Sequence, residues 1–331
     1  MHRLAEHKRR PSWRRATCCI LGLAIAGGLL TLLAGCPRTP VVFVPATTTT
    51  PPAQIAPALR QWQEVGQLAT GLQEVRGLAV GPRGRVYVAG DQLVRVYNGK
   101  RQPERDLALP GPPRCLAVAS DGRLYVGLAD QVTVLSPTGE RLTSWPVPGK
   151  RTFVTGIALS ADRVFVADAG NRVVLQYTPE GKLLGAFGPG SGPAQGPALR
   201  IPSPHLDVAV SAAGLVWIAN PGLHTVNAFR PDNTLVASWS QSAYDINGFC
   251  GCCNPTDLAV LPEGGIVTSE KGVPRVKVYS PGGQLQSVVA GPEAFRPETV
   301  GLDLAVEGAG TILVLDPSHR SVRFFTRKSS P

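Results

Sequence analysis

The strongest constraint on this chain is a short apolar triplet that comes back six times. Leu78-Ala79-Val80 recurs as Leu116-Ala117-Val118, Ile157-Ala158-Leu159, Val208-Ala209-Val210, Leu258-Ala259-Val260 and Leu304-Ala305-Val306, with the alanines 38, 41, 51, 50 and 46 residues apart. A unit repeated at such a period cannot bury its apolar face alone, so the copies must stack or close on one another. Past a Gly-rich or polar turn a second run follows each triplet: Val86-Tyr87-Val88, Leu124-Tyr125-Val126, Val164-Phe165-Val166, Val216-Trp217-Ile218, Ile266-Val267-Thr268 and Ile312-Leu313-Val314. A third lies around Val96-Tyr97, Val134-Leu135, Tyr177, Phe229, Val278-Tyr279 and Phe324-Phe325. Short β-branched and aromatic runs between Gly, Pro, Asp and Asn turns are strand signals. With 37 glycines, 31 prolines and a single methionine, long helices are disfavoured.

The first five copies carry a fourth run, as at Ala186-Phe187 and Ser238-Trp239, whereas the sequence ends at Pro331 soon after the third run of copy six. An orphan stretch at residues 62–68, before copy one, has the length to supply the missing outer strand. Joining the two chain ends in one sheet closes a ring and removes the open edges of a linear stack. The expected fold is therefore all-β, a six-bladed β-propeller closed by an N-terminal strand that completes the last blade.

At these residues the chain resembles the NHL-repeat family of six-bladed propellers, over roughly residues 60 to 328. Copy three carries the best local match, Asp168-Ala169-Gly170-Asn171-Arg172-Val173, with the arginine one place early. Copy five, Glu270 to Val276, keeps Arg275 in register but has Glu for Asp; copy six offers Asp316, His319 and Arg320, and copy four Asn220 and His224. The resemblance implies a rigid ring. Propellers of similar type include metal-dependent lyases and lactone hydrolases, but none of their catalytic sets maps onto residues here, and fold alone does not give function.

Residues 1–35 read as an export signal. A basic stretch reaching Arg15 precedes an apolar run from Cys18 to Leu33, and Leu33-Ala34-Gly35-Cys36 resembles the bacterial lipobox, in which the cysteine sulfur is lipidated. Cys36 is thus the expected lipidation site, and the remainder is expected outside the cytoplasm, anchored to a bacterial membrane. An uncleaved anchor helix is the alternative; the arginine pairs at 9–10 and 14–15 fit a twin-arginine signal poorly. Residues 36–59, rich in Pro and Thr, read as a disordered tether of about 20 residues. The net charge of +10 loses its meaning here: Arg3, Lys8, Arg9, Arg10, Arg14 and Arg15 lie in the signal, leaving 27 basic against 22 acidic residues elsewhere. No basic run is interleaved with aromatics, so nucleic acid is excluded as a partner.

In a propeller the residues just before each inner strand ring the channel mouth. Two places before each central alanine stand Gly77, Cys115, Gly156, Asp207, Asp257 and Asp303, with His205 two residues before Asp207. Asp207, Asp257, Asp303 and His205 are the candidate ligand residues. The aspartates either accept backbone N–H bonds at the strand entrance or jointly hold calcium. The loop Phe249-Cys250-Gly251-Cys252-Cys253-Asn254-Pro255 is the least propeller-like stretch. With Cys115 its thiols make four. They read as two disulfides in an oxidising compartment, as soft ligands for zinc, copper or an iron–sulfur cluster with Cys115 or His205, or as a redox dithiol in which Cys253 pairs with Cys250 or Cys252. His224 and His319 are singletons, and Trp145, Trp217 and Trp239 fall at strand positions where packing is expected. No Ser-His-Asp set, phosphate-binding Gly loop or H-E-x-x-H helix appears.

The leading reading is a non-catalytic, lipid-anchored propeller, monomeric, that binds a protein, peptide or small ligand at its channel mouth. The alternative is a metal- or thiol-dependent enzyme or redox protein centred on Cys250, Cys252 and Cys253.

Overall fold

The computed structural model describes residues 55–188 and 198–329. The expected signal segment, Cys36 and most of the expected tether lie outside these residues. The described chain forms six four-stranded antiparallel sheets, and its helical pieces are four single 3-10 turns.

Each sheet is one blade, and the recurring triplet begins it. Blade 1 runs through Gly77–Gly81, Arg85–Gly90, Leu93–Tyr97 and Pro103–Ala108; blade 2 starts at Cys115–Val118, blade 3 at Val154–Leu159, blade 4 at Val208–Val210 and blade 5 at Asp257–Val260. Blade 6 takes Asp303–Glu307, Thr311–Asp316 and Ser321–Arg327 from the end of the ring, and its outermost strand is Trp62–Ala69. The pairing is antiparallel, from Trp62 opposite Arg327 to Ala69 opposite Ser321, with a bulge between Glu64 and Gly66.

Burial explains the sequence pattern. Second and third strands such as Val216–Asn220 and Arg275–Tyr279 are buried at every position, because each blade is sandwiched between two others and both of its faces are covered. Outer strands alternate: Pro103–Ala108 and Leu235–Ser240 each bury one residue near their end, Leu107 and Trp239. Those residues bridge blades. Trp145 on the outer strand of blade 2 lies over Gly181 in a turn of blade 3, and Trp239 of blade 4 over Gly283 of blade 5. Both glycines have positive φ, +92° and +84°, and a β-carbon at either would come within 2.5–2.6 Å of the indole.

The folded domain begins earlier than the composition of residues 36–59 suggests. Pro57–Leu59 forms a 3-10 turn with proline in its first position, Ile55 is buried, and Arg60 pairs with Glu293 at 2.8 Å.

The closing strand is held by side chains as well as by its ladder. Trp62 is buried, donates from Nε1 to Ser287 Oγ of blade 5 at 2.9 Å, and lies under the Arg327 guanidinium 4.8 Å from the ring. Glu64 receives Arg323, which draws its carboxyl below the usual range. Trp62→Ala is expected to cost about 3–5 kcal/mol, read as a lowered urea midpoint. A loss below about 1 kcal/mol would show that the last blade does not depend on this anchor.

Candidate functional site at the channel mouth

A sheet that ends on the channel leaves one edge of its inner strand without a partner strand, so N–H and C=O groups there need other bonds. On three blades an aspartate supplies them. Asp207 Oδ2 accepts from Leu258 N of blade 5 at 2.9 Å, Asp257 Oδ1 from Leu304 N of blade 6 at 3.0 Å, and Asp303 Oδ2 from Leu78 N of blade 1 at 2.6 Å. Leu304 N is shared with Asp303 Oδ1 at 2.9 Å. Each carboxyl thus bonds the next blade, stitching 4 to 5, 5 to 6, and 6 to 1 across the ring seam.

These carboxyls surround one side of a cavity of about 740 Å³, whose lining also includes Arg76, Arg114, Phe153, His205 and Val300 at the mouth. Glycine stands at the same level of the neighbouring blade 3 for a steric reason, because a β-carbon on Gly156 would run into Asp207 Oδ1. Burial dominates the acids' titration. It lifts Asp207 to about 8, with Asp303's charge adding to it, and Asp303 to about 6. Asp257 rises well above its ordinary value through burial, then through the charges of Asp207 and Asp303, to which it is also hydrogen-bonded in the case of Asp303. Three carboxyls this close in low dielectric cannot all ionise, so the ring keeps protons at neutral pH.

The mouth carries Arg114 and an ion pair, Arg76 with Glu74 at 2.7 Å. Arg114 stacks on Phe153, 3.7 Å from the ring centroid, and burial lowers its pKa. His205 is pushed down to about 4 by burial and then by Lys271's charge, so its imidazole is neutral at pH 7. Lys271 Nζ donates to Ser203 Oγ at 3.0 Å. Sequence reasoning placed the aspartates and His205 here but missed Arg114 at the mouth and Lys271 near His205, whose roles depend on loops meeting from different blades.

The cysteines are not brought together. Cys115 packs between blades 2 and 3 in a cluster with Tyr125, Val154 and Ile157, its sulfur against Gly127. The Cys250 loop does not fold inward toward it but wedges between blades 4 and 5. There Phe249 is buried against Trp239 and Tyr279, with ring centroids 6.1 and 5.4 Å away.

Beneath the wedge is a buried charge network. Glu270 Oε1 pairs with Arg275 Nε at 2.7 Å and Lys277 Nζ at 2.8 Å. The spare donors reach loop carbonyls: Arg275 Nη2 and Lys277 Nζ each bond Gly248 O at 2.7 Å, and Arg275 Nη1 bonds Asp245 O at 3.1 Å. Burial draws Lys277 down to about 8. His224, a singleton in the sequence, bonds Gly251 O through Nε2 at 2.6 Å. Within the loop only Cys252 and Cys253 meet, with Sγ atoms 3.0 Å apart.

Asp168 and Asp316 hold their own turns, and Asp168 and Asn220 also tie down the segment entering their blade. Asp168 accepts from Phe153 N and Asn171 N, Asn220 from Arg200 N, and Asp316 from Ser318 N and the His319 ring. Among the described residues no group of three or more His, Cys, Asp or Glu side chains is placed to hold a metal ion.

No protein-family model and no curated protein matches the chain. Among solved structures it is similar to virginiamycin B lyase from Staphylococcus aureus, at 12% identity and a TM-score of 0.58, over 81% of this chain and 99% of that one. A streptogramin B lyase structure gives 10% identity and 0.57, over 82% and 99%. A catalytically inactive variant of the S. aureus enzyme with quinupristin gives 12% and 0.56, over 81% and 99%. At this identity the likeness carries the six-bladed fold and not the chemistry.

The acid ring fixes a pH dependence. The folded chain holds protons that the unfolded chain releases from about pH 4 upward, so this contribution is full at low pH and is lost as pH rises toward about 8. His205 acts oppositely between about 4 and 6.5, and Lys277 titrates from about 8 up. Between pH 6.5 and 8 the wild-type urea midpoint should therefore fall, and that of Asp207→Asn should fall less steeply, the slope that remains coming from Asp257. Parallel slopes for the two proteins would remove Asp207 from the account.

Proposed function

We propose that this protein is a lipid-anchored propeller of the NHL-repeat type, held outside the cytoplasm, that binds a protein, peptide or small ligand at its channel mouth. The observation that carries this is the mouth cavity. Its volume of about 740 Å³ falls in the range of small-molecule and peptide sites. Its walls are preorganised, since the inner strands are tied to each other through Asp207, Asp257 and Asp303. With protonated carboxyls inside, and Arg114 at the opening beside an Arg76–Glu74 pair, the cavity offers donors, which suits a ligand rich in acceptor oxygens. The anchor rests on Cys36 and the residues before it. A second reading, thiol redox chemistry at the cysteine loop, is favoured by the Cys252–Cys253 contact.

Two measurements test the proposal. Metabolic labelling with an alkyne fatty acid should mark the full chain at the membrane, and Cys36→Ser should lose the label and appear in the soluble fraction. Saturation-transfer NMR with a tetrapeptide library should give binders that Val300→Trp, at the exposed rim, abolishes. Tyr244→Ala, on the surface of another loop, should leave them unchanged. Binders indifferent to Val300→Trp would place recognition elsewhere on the ring.

A further inference from the structure

The segment carrying the two touching thiols is clamped at both ends. Upstream, His224 Nε2 sits on Gly251 O at 2.6 Å, and its Nδ1 on Ser242 Oγ at 2.9 Å. Downstream, the Asn254 side chain is bonded to Cys250 O and to both backbone groups of Lys271, at 3.0 Å to the carbonyl and 2.9 Å from the amide. Between the clamps Gly251 takes φ +77° and turns the chain. The outcome is Cys252 exposed, Cys253 buried, and their sulfurs 3.0 Å apart, against about 2.05 Å for an S–S bond. Cys250 faces the other way: it is buried, with its N–H on Glu270 Oε2 at 3.3 Å. Cys115 belongs to another blade's core.

We infer that Cys252 and Cys253 are a reversible redox site that closes to a vicinal disulfide by exchange with a small-molecule disulfide or a thiol–disulfide oxidoreductase, leaving Cys250 and Cys115 as thiols. The inference is independent of ligand binding at the channel. Cys252, the accessible sulfur, gives up its proton and attacks one sulfur of the incoming disulfide; that S–S bond breaks, a mixed disulfide forms, and the first thiol leaves with a proton. Cys253 Sγ then loses its proton and attacks Cys252 Sγ, forming the Cys252–Cys253 bond and expelling the second thiol. Two electrons pass from the pair to the partner, whose disulfide becomes two thiols. Burial raises the Cys253 thiol above its ordinary pKa, which suits it to resolve and not to attack first.

The site adjoins the cavity. Ser203 Oγ accepts from Lys271 Nζ at 3.0 Å, and Ser203 O accepts from His205 N at 2.6 Å.

The test uses the reduced full-length chain, equilibrated with glutathione disulfide, quenched with iodoacetamide and digested with trypsin. Cleavage after Arg200 and Lys271, with Arg230-Pro231 intact, puts Cys250, Cys252 and Cys253 in one peptide, 201–271. The expected product carries one carbamidomethyl group, on Cys250, and is two hydrogens lighter across Cys252–Cys253; dithiothreitol before alkylation restores three groups. Cys253→Ser should trap glutathione on Cys252. A peptide alkylated three times, a disulfide that includes Cys250, or a glutathione adduct that persists on the wild type each overturns the inference. So does the absence of an adduct on Cys252 in Cys253→Ser.

Discussion

Six strands that each present an open edge to one channel are the constraint on which this molecule turns. Every other strand edge is paired within a blade or lies at the rim, but the inner edges face one another around a common axis, and their N–H groups cannot all be left to water without loosening the ring. Asp207, Asp257 and Asp303 answer this on half of the circle by reaching across to the neighbouring blade. On the other half Gly77, Cys115 and Gly156 make room. The same side chains that join the blades therefore set the polarity of the cavity. Because they are crowded and buried they keep protons, so the joint is also a proton store.

The second organising element lies between blades 4 and 5, where the chain inserts a loop that the other copies lack. Glu270 with two cations would be a poor bargain if it only balanced charge, since buried ion pairs gain little over apolar packing. Here Arg275 and Lys277 use Glu270 as a base and spend their remaining donors on the carbonyls of residues 245–248. The network is a template for irregular backbone. It places Phe249 between Trp239 and Tyr279 and delivers the cysteines to their positions.

Much of the architecture was legible in the sequence because repetition reports on burial. Strands covered on both faces read as unbroken apolar runs, and the triplet's regular return betrayed a ring of equivalent sheets. The level of Asp207, Asp257 and Asp303 could be read from their offset to the alanines. Their partners could not, since the bonds cross to blades some 50 residues on, or across the seam. Lys277 illustrates the opposite failure. In Arg-Val-Lys-Val-Tyr it alternates like a solvent-facing residue of a strand, yet it is fully buried, because the loop that covers it comes from 30 residues earlier. His224 was invisible for the same reason, its partner Gly251 lying in that loop. Local pattern reveals which positions are covered by sheets and not which are covered by insertions.

Blade 6 gives the ring an order in time. Its outer strand is made before any blade exists, and its partner, Ser321–Arg327, is made after the other five are complete. Until then Trp62–Ala69 has no ladder to join, and blade 6 lacks its edge. Contacts of this sequence separation form late and slowly. A ribosome-bound chain thus carries one orphan strand throughout, and the channel with its acid ring comes into being only at the final step, when the two ends meet.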